Sequence, residues 1–251
     1  MSDTTTIEDL SADVLFNVTT RLGGREQINT TVAGLNRAFR KLAANVVVDR
    51  LPMREVEPPN CDIPANVQLA FADRPFADLQ NAINRAADGD TILVKPGNYG
   101  TLQVSNKRIT LHGYGANFNG SHISCEDRSH VTLIGLMIHT VLVQAGSSVH
   151  IHDAHLYYLH VCSGARANIT HTRILNKKVA GVLFEPLSTG QVRGCSISDS
   201  AVGVQVMAGA ETFIYNNVFI RNTIGIESFQ GGALLRGNVF KDNAQNVSRR
   251  T

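Results

Sequence analysis

The sequence has no excess of basic charge: 23 Lys and Arg stand against 21 Asp and Glu among 251 residues, a formal net charge of +2. With no basic stripe to displace counterions from a phosphate backbone, nucleic-acid binding is not expected. Long apolar runs are also missing. Val46-Val47-Val48 and Leu133 to Ile138 fall far short of the roughly 20 residues a membrane span requires. No association with a membrane is expected. The opening Met1-Ser2-Asp3-Thr4-Thr5-Thr6-Ile7-Glu8-Asp9 lacks a basic segment followed by an apolar one. The expected location is therefore intracellular, in the cytoplasm or nucleus of a host cell or in a virion. Cysteine is scarce: Cys61, Cys125, Cys162 and Cys195 form no Cys-x-x-Cys knuckle and read as free, mostly buried thiols.

What is present changes character twice along the chain. In residues 1–51, Leu10, Val14, Leu15, Val18 and Leu22 recur at helical spacing, and Val32, Leu35, Phe39 and Leu42 do so again after Gly23-Gly24. This predicts short amphipathic helices joined by tight turns. Residues 52–64 carry Pro52, Pro58-Pro59 and Pro64, which suit neither a helix interior nor a central strand and so mark a linker.

From residue 65 to 251 a repeat emerges. An apolar-x-apolar-x-x-(apolar, Cys or Asn)-x-apolar template fits Val131-Leu133-Leu136-Ile138, Val149-Ile151-Ala154-Leu156 and Ala167-Ile169-Thr172-Ile174, advancing 18 residues each time. It continues at Val192-Cys195-Ile197, Ile214-Asn217-Phe219 and Leu235-Asn238-Phe240 at steps of 23, 22 and 21, and Ile109-Leu111-Tyr114-Ala116 precedes it by 22. Gly181, Gly203 and Gly225 stand 22 apart inside the longer turns. A period of this length, built from short strands between Gly, Asn, Ser and Asp turns, predicts the coils of a parallel β-helix. Asn217 and Asn238 then stack at a turn and hydrogen-bond along the rod. Residues 76–88 predict an amphipathic helix, with Leu79, Ala82, Ile83 and Ala86 on one face and Gly89 as the stop, that covers the first coil.

Asp78-Leu79-Gln80-Asn81-Ala82-Ile83, followed by Gly89-Asp90-Thr91-Ile92-Leu93-Val94-Lys95-Pro96-Gly97-Asn98-Tyr99, resembles the entry of the pectin-lyase-like right-handed β-helix superfamily. The resemblance spans residues 65–248. The expected class is mostly β, a single-stranded right-handed parallel β-helix, or solenoid, with a small N-terminal α-helical module. That module, with Leu10-Ser11-Ala12-Asp13-Val14-Leu15-Phe16-Asn17-Val18, Arg21-Leu22 and Asn36-Arg37-Ala38-Phe39-Arg40-Lys41-Leu42, resembles an F-box. The combination is similar to divergent F-box proteins of eukaryotes and of amoeba-infecting giant viruses. The resemblance implies docking of a Skp-type adaptor protein of a cullin ubiquitin ligase through Leu10, Val14, Leu15, Val18, Leu22 and Phe39.

Polyuronate cleavage needs calcium held by several carboxylates plus a base, and glycoside hydrolysis needs paired carboxylates. Asp153, Glu185, Asp199, Glu227 and Asp242 share no template position on successive coils, and Glu227 falls two positions earlier in its strand than Glu185. No catalytic residue and no cofactor is assigned, and enzyme activity is not expected. His150, His152, His155, His160 and His171 crowd two coils, but His152, Asp153 and His171 lack a fixed further ligand and read as a solvated face, not a metal site. With Val182, Phe184, Val204, Val206, Ile226 and Ser228 inward, Leu183, Met207 and Phe229 point outward beside Gln205 and Glu227, and Tyr157 and Tyr158 add aromatic surface. Such an apolar outer face expects a cover: the helical module, a second copy of the chain or a recruited protein target. The expected function is a non-enzymatic recognition adaptor. The alternatives are a structural or virion assembly protein that oligomerises through the β-helix and, more weakly, a polysaccharide lyase or hydrolase.

Overall fold

The computed structural model describes residues 67–70, 75–113, 115–176 and 179–251. These belong to a compact unit, Asn66–Thr251. Residues 1–51 and 52–64, and with them Leu10, Val14, Leu15, Val18, Leu22 and Phe39, lie outside the described residues.

All strand pairs in the unit are parallel and join one coil to the next. Nine strands form one sheet, which runs through Val67–Ala70, Thr91–Val94, Arg108–His112, His130–Ile134, Ser148–His152, Arg166–Thr170, Thr189–Arg193, Glu211–Tyr215 and Ala233–Arg236. The second sheet has 13 strands, because each later coil contributes two short ones, such as Ser196–Ser198 and Val202–Val206. Registers connect Leu111, Leu133, Ile151, Ile169, Val192, Ile214 and Leu235 in one column. Ile138, Leu156, Ile174, Ile197, Phe219 and Phe240 form another. The repeat read from the sequence is therefore the true register over these coils. Alternate residues face inward, so each column becomes a buried ladder of aliphatic and aromatic side chains.

The coil of Arg108–His112 and Ala116–Glu126, the first one matched to the template, departs from it. Phe118, not Ala116, pairs with Ile138, because the bend around Gly113 and Gly115 carries two more residues than later bends. Gly113 is obligatory there, since a Cβ would lie 2.1 Å from the Val94 carbonyl oxygen. The helix Pro75–Arg85 buries Leu79, Ile83 and the adjoining Ala86. It stops short of residue 88 because the Asp90 carboxylate accepts the Ala87 N–H at 2.9 Å, taking that donor out of the helical pattern. Gln80 closes the edge of the strand Leu102–Ser105 as a neighbouring backbone would. Its Nε2 donates to the Gln103 carbonyl at 2.9 Å and its Oε1 accepts the Gln103 N–H at 3.0 Å.

Two asparagine ladders hold the bends of the later coils. At the first bend, Asn217 accepts the Cys195 N–H through Oδ1 at 2.9 Å and donates Nδ2 to the Val192 carbonyl at 2.8 Å. Asn238 repeats this one coil on, accepting from Asn217 N and donating to Ile214 O. At the second bend Asn222 and Asn243 do the same beneath Ser200. Backbone groups that turn inward at a corner thus find side-chain partners, in full burial at Asn217 and Asn222 and in partial burial at Asn238 and Asn243. The Gly181, Gly203 and Gly225 column serves space rather than φ. A Cβ on Gly203 would lie 2.4 Å from the Gly225 carbonyl and 2.9 Å from the Phe219 ring, and Phe219 itself stacks on Phe240 at 5.2 Å.

Two stability changes follow. Asn217→Ala leaves a buried N–H and a buried carbonyl without partners and lowers unfolding free energy by about 3 kcal/mol in urea titration, from the cost of two unsatisfied groups. Gly203→Ala forces the backbone of adjacent coils apart and costs about 3 kcal/mol, read in the same titration.

Candidate functional site

In-register stacking places the outward residues of the nine-stranded sheet in columns as regular as the inward ones. Arg108, His130, Ser148 and Arg166 form one column, and Thr110, Thr132, His150 and Asn168 form the next. Between them runs a groove of about 670 Å³ lined by these eight residues, Gly89, Gly146, Gly164 and Ser147 among others, and by no carboxylate. Of the two acidic residues that flank Gly89 in sequence, Asp88 accepts the Arg108 backbone N–H through Oδ1 at 2.8 Å and Asp90 accepts the Ala87 N–H at 2.9 Å. His130 Nδ1 lies 2.7 Å from Ser148 Oγ. Ser147 Oγ and Asn168 Oδ1 are buried there without a protein partner.

Two guanidinium groups, imidazoles, hydroxyls and amides on a rigid, slightly concave sheet make a surface for anionic oxygen. His150 is held below its ordinary value of 6.5, first by partial burial and second by the neighbouring His152. It is therefore neutral at pH 7 and gains charge only in acid. None of these groove residues was singled out from sequence as a binding site, although the outward positions Arg108, His130 and Arg166 repeat at steps of 22, 18 and 18 from Arg108 through Ser148. The signal was present in the polar positions of the repeat, which vary freely in ordinary coils and so do not attract notice.

On the other sheet, the register divides the apolar outer residues between two columns. Leu183, Gln205 and Glu227 stack in one. Met207 follows Glu185 in the next, since the Met207 N–H donates to the Phe184 carbonyl, and Phe229 comes above Met207. Leu183, Met207 and Phe229 are all half-buried, so they do not form a single exposed strip. Glu227 points outward yet is only 4% exposed. Gln205 donates to its Oε2 at 2.8 Å and Arg250 lies 2.7 Å from its Oε1, with the Arg250 guanidinium 5.7 Å from the Phe229 ring centre. Tyr157 is exposed and stacks on His139 with ring centres 5.3 Å apart, whereas Tyr158 lies 5.9 Å from the His160 ring. Glu185 and Glu227 occupy different columns, as their spacing requires, and do not face each other as a catalytic pair.

The histidine-rich coils resolve into separate roles. Asp153 and His171 occupy the left-handed bend position, at φ 50° and 49°, that glycine fills in other coils. His152 Nδ1 lies 2.9 Å from Thr170 Oγ1 and its ring packs edge-on against His171. Among the described residues the donors that do converge are His160, Cys162 and Glu185, whose ligand atoms all lie within 4.8 Å of one another. His160 Nε2 is 2.7 Å from Glu185 Oε1, and the Ser163 N–H donates to Glu185 Oε2 at 3.0 Å. The His160 bond lowers the Glu185 carboxyl from its usual range, against a smaller opposing effect of burial. Burial and then Glu185 raise both Cys162 and the Tyr158 hydroxyl. Cys125 and Cys195 are sealed in the core, where burial pushes their thiols up to about 12 and about 11.

Comparison with known proteins adds the fold family. The model of the family described as right handed beta helix region matches residues 121–248, about half of the chain. No curated protein matches the chain, and no solved structure does. The matched residues cover the coils whose parallel, in-register stacking is described above, and the chain belongs to the right-handed β-helix family.

Proposed function

We propose that this chain is a recognition adaptor whose β-helix binds an acidic protein target in the groove of the nine-stranded sheet. The observation that supports this reading is the groove's lining: Arg108, Arg166, His130 and His150 converge with hydroxyl and amide groups, and no carboxylate lines the groove. The outer face around Leu183, Met207 and Phe229 is a poorer candidate, because its residues are half-covered and its acidic groups are engaged, Glu227 by Gln205 and Arg250 and Glu185 by His160 and the Ser163 N–H. Residues 1–51, by their F-box resemblance, dock a Skp-type subunit of a cullin ubiquitin ligase through Leu10, Val14, Leu15, Val18, Leu22 and Phe39. A second reading, self-association of the β-helix, is favoured by one feature. Phe213 and Leu234 are 49% and 63% exposed and are register neighbours on the nine-stranded sheet.

Co-purification of the full chain with a Skp-type adaptor, with light scattering to give the mass, separates the readings. Adaptor recognition predicts a complex that Leu15→Asp abolishes and Arg108→Glu/Arg166→Glu leaves intact. A defined oligomer without the adaptor, dispersed by Phe213→Ser, favours self-association. For the groove, polyglutamate serves as an acidic probe. Removing either arginine weakens its binding by about tenfold, the worth of one charge-assisted contact.

The groove also makes binding pH-dependent. Polyglutamate affinity rises as pH falls below 6.5, where His150 begins to take up a proton, and His150→Gln flattens that part of the rise. Stability moves the opposite way. The folded His150 value lies below the unfolded one, so the unfolded chain binds more protons and His150 subtracts stability as pH falls through 6.5. Urea titrations of the wild type and His150→Gln across that range check the sign.

A further inference from the structure

We propose that His160, Cys162 and Glu185 bind a thiophilic divalent cation, zinc or a close analogue, with water as the fourth ligand. This site is distinct from the groove and lies on the other sheet.

The register places the three donors together. His160 belongs to the strand His155–Val161 and Cys162 follows it directly, two residues on and therefore on the same outer face. Cys162 continues the pairing through its N–H to the Val143 carbonyl at 2.9 Å. Glu185 sits one coil further along in the Cys162 column, its own N–H donating to the Val161 carbonyl at 2.9 Å. Both strands are paired on each side, so the Cα positions are fixed by the sheet. An imidazole nitrogen, a thiol sulfur and a carboxylate oxygen within 4.8 Å of one another are a borderline-soft donor set. That set suits zinc and disfavours magnesium and calcium, which take oxygen.

The remaining geometry fits a three-ligand site open to solvent. The His160 and Glu185 side chains are 25% and 35% exposed, which leaves room for a water ligand on the outer side. The Ser163 N–H holds Glu185 Oε2 and leaves Oε1 for the metal. In a tetrahedral zinc site with ordinary bond lengths, donor atoms stand about 3.3–3.6 Å apart. His160 Nε2 and Glu185 Oε1, now 2.7 Å apart, need to separate by less than about 1 Å to admit the ion. Side-chain torsions alone supply that. Cys125 and Cys195 offer no competing site, being buried in the core.

Titration of the full-length protein with cobalt(II) under reducing conditions tests the proposal, because a thiolate ligand gives a near-ultraviolet charge-transfer band and four-coordination gives intense visible bands. The expected result is one cobalt per chain, displaced by zinc, with the charge-transfer band lost in Cys162→Ser. His160→Gln and Glu185→Gln bind at least about tenfold more weakly, and circular dichroism reports whether each variant is folded. If Cys162→Ser does not fold, those two variants decide: wild-type affinity in both overturns the proposal. Absence of the band in the wild-type protein, or a band of full intensity in folded Cys162→Ser, overturns it as well.

Discussion

Everything in this unit depends on coils stacking in register, so that each residue lies about 4.8 Å above its counterpart in the coil before. Backbone hydrogen bonding fixes that spacing, and it acts on the two sides of the sheet in different ways. Inside, it turns the alternating Leu, Ile, Val and Phe into continuous buried ladders. A wrong residue there is felt by two neighbours at once, which is why the Gly203 position excludes even a methyl group. Outside, the same spacing lines up chemistry contributed by residues far apart in sequence, as in Arg108 to Arg166 and His160 to Glu185.

Corners are the weak points of such a design, because the chain must turn while its backbone groups remain buried. The two asparagine ladders answer this with side-chain amides that both donate and accept, each joining its own coil to the previous one. Earlier coils use Thr172 and the smaller Ala154 at the first bend, where the Thr172 hydroxyl donates to the Thr170 carbonyl at 3.0 Å. The Gln80 amide meets the same need at the strand edge under the helix. Edge and corner are thus two versions of one requirement, that backbone groups the strand ladder leaves unpaired meet a side-chain amide or hydroxyl in its place.

Much of the fold was legible in the sequence because the inward template tolerates only a few residue types. Leu133, Ile151 and Ile169 reveal the period directly, and Asn217 with Asn238 reveals one ladder. The second ladder, Asn222 and Asn243, is less legible because Ser200 and not an asparagine begins it and because it falls beyond the last apolar position of the template, at Phe219 and Phe240. The extra residues at Gly113 and Gly115 displaced the first register for a related reason: turns can lengthen without disturbing the ladders around them. Candidate sites were harder to read. Outward residues vary without cost, so Arg108, His130 and Arg166 looked like ordinary surface. Cys162 looked like a buried thiol until the register set Glu185 beside it. Leu183, Met207 and Phe229 were grouped by direction alone, and the register separates them by two positions along the strand.

The placement of every outward residue rests on the register, and a paired-cysteine cross-link reads it directly. In the full-length chain, Gln191→Cys with Phe213→Cys places two thiols on register neighbours of the outer face, at a Cα separation of about 5 Å that a disulfide can span. Mild oxidation followed by mass spectrometry of the digested chain should find the peptide containing position 191 joined to that containing 213. The pair Gln191→Cys with Thr212→Cys, whose second position faces the core, should stay unlinked. A link in the second pair and none in the first would mean that the coils are offset by one residue. Every assignment of inner and outer face made for this sheet would then be reversed.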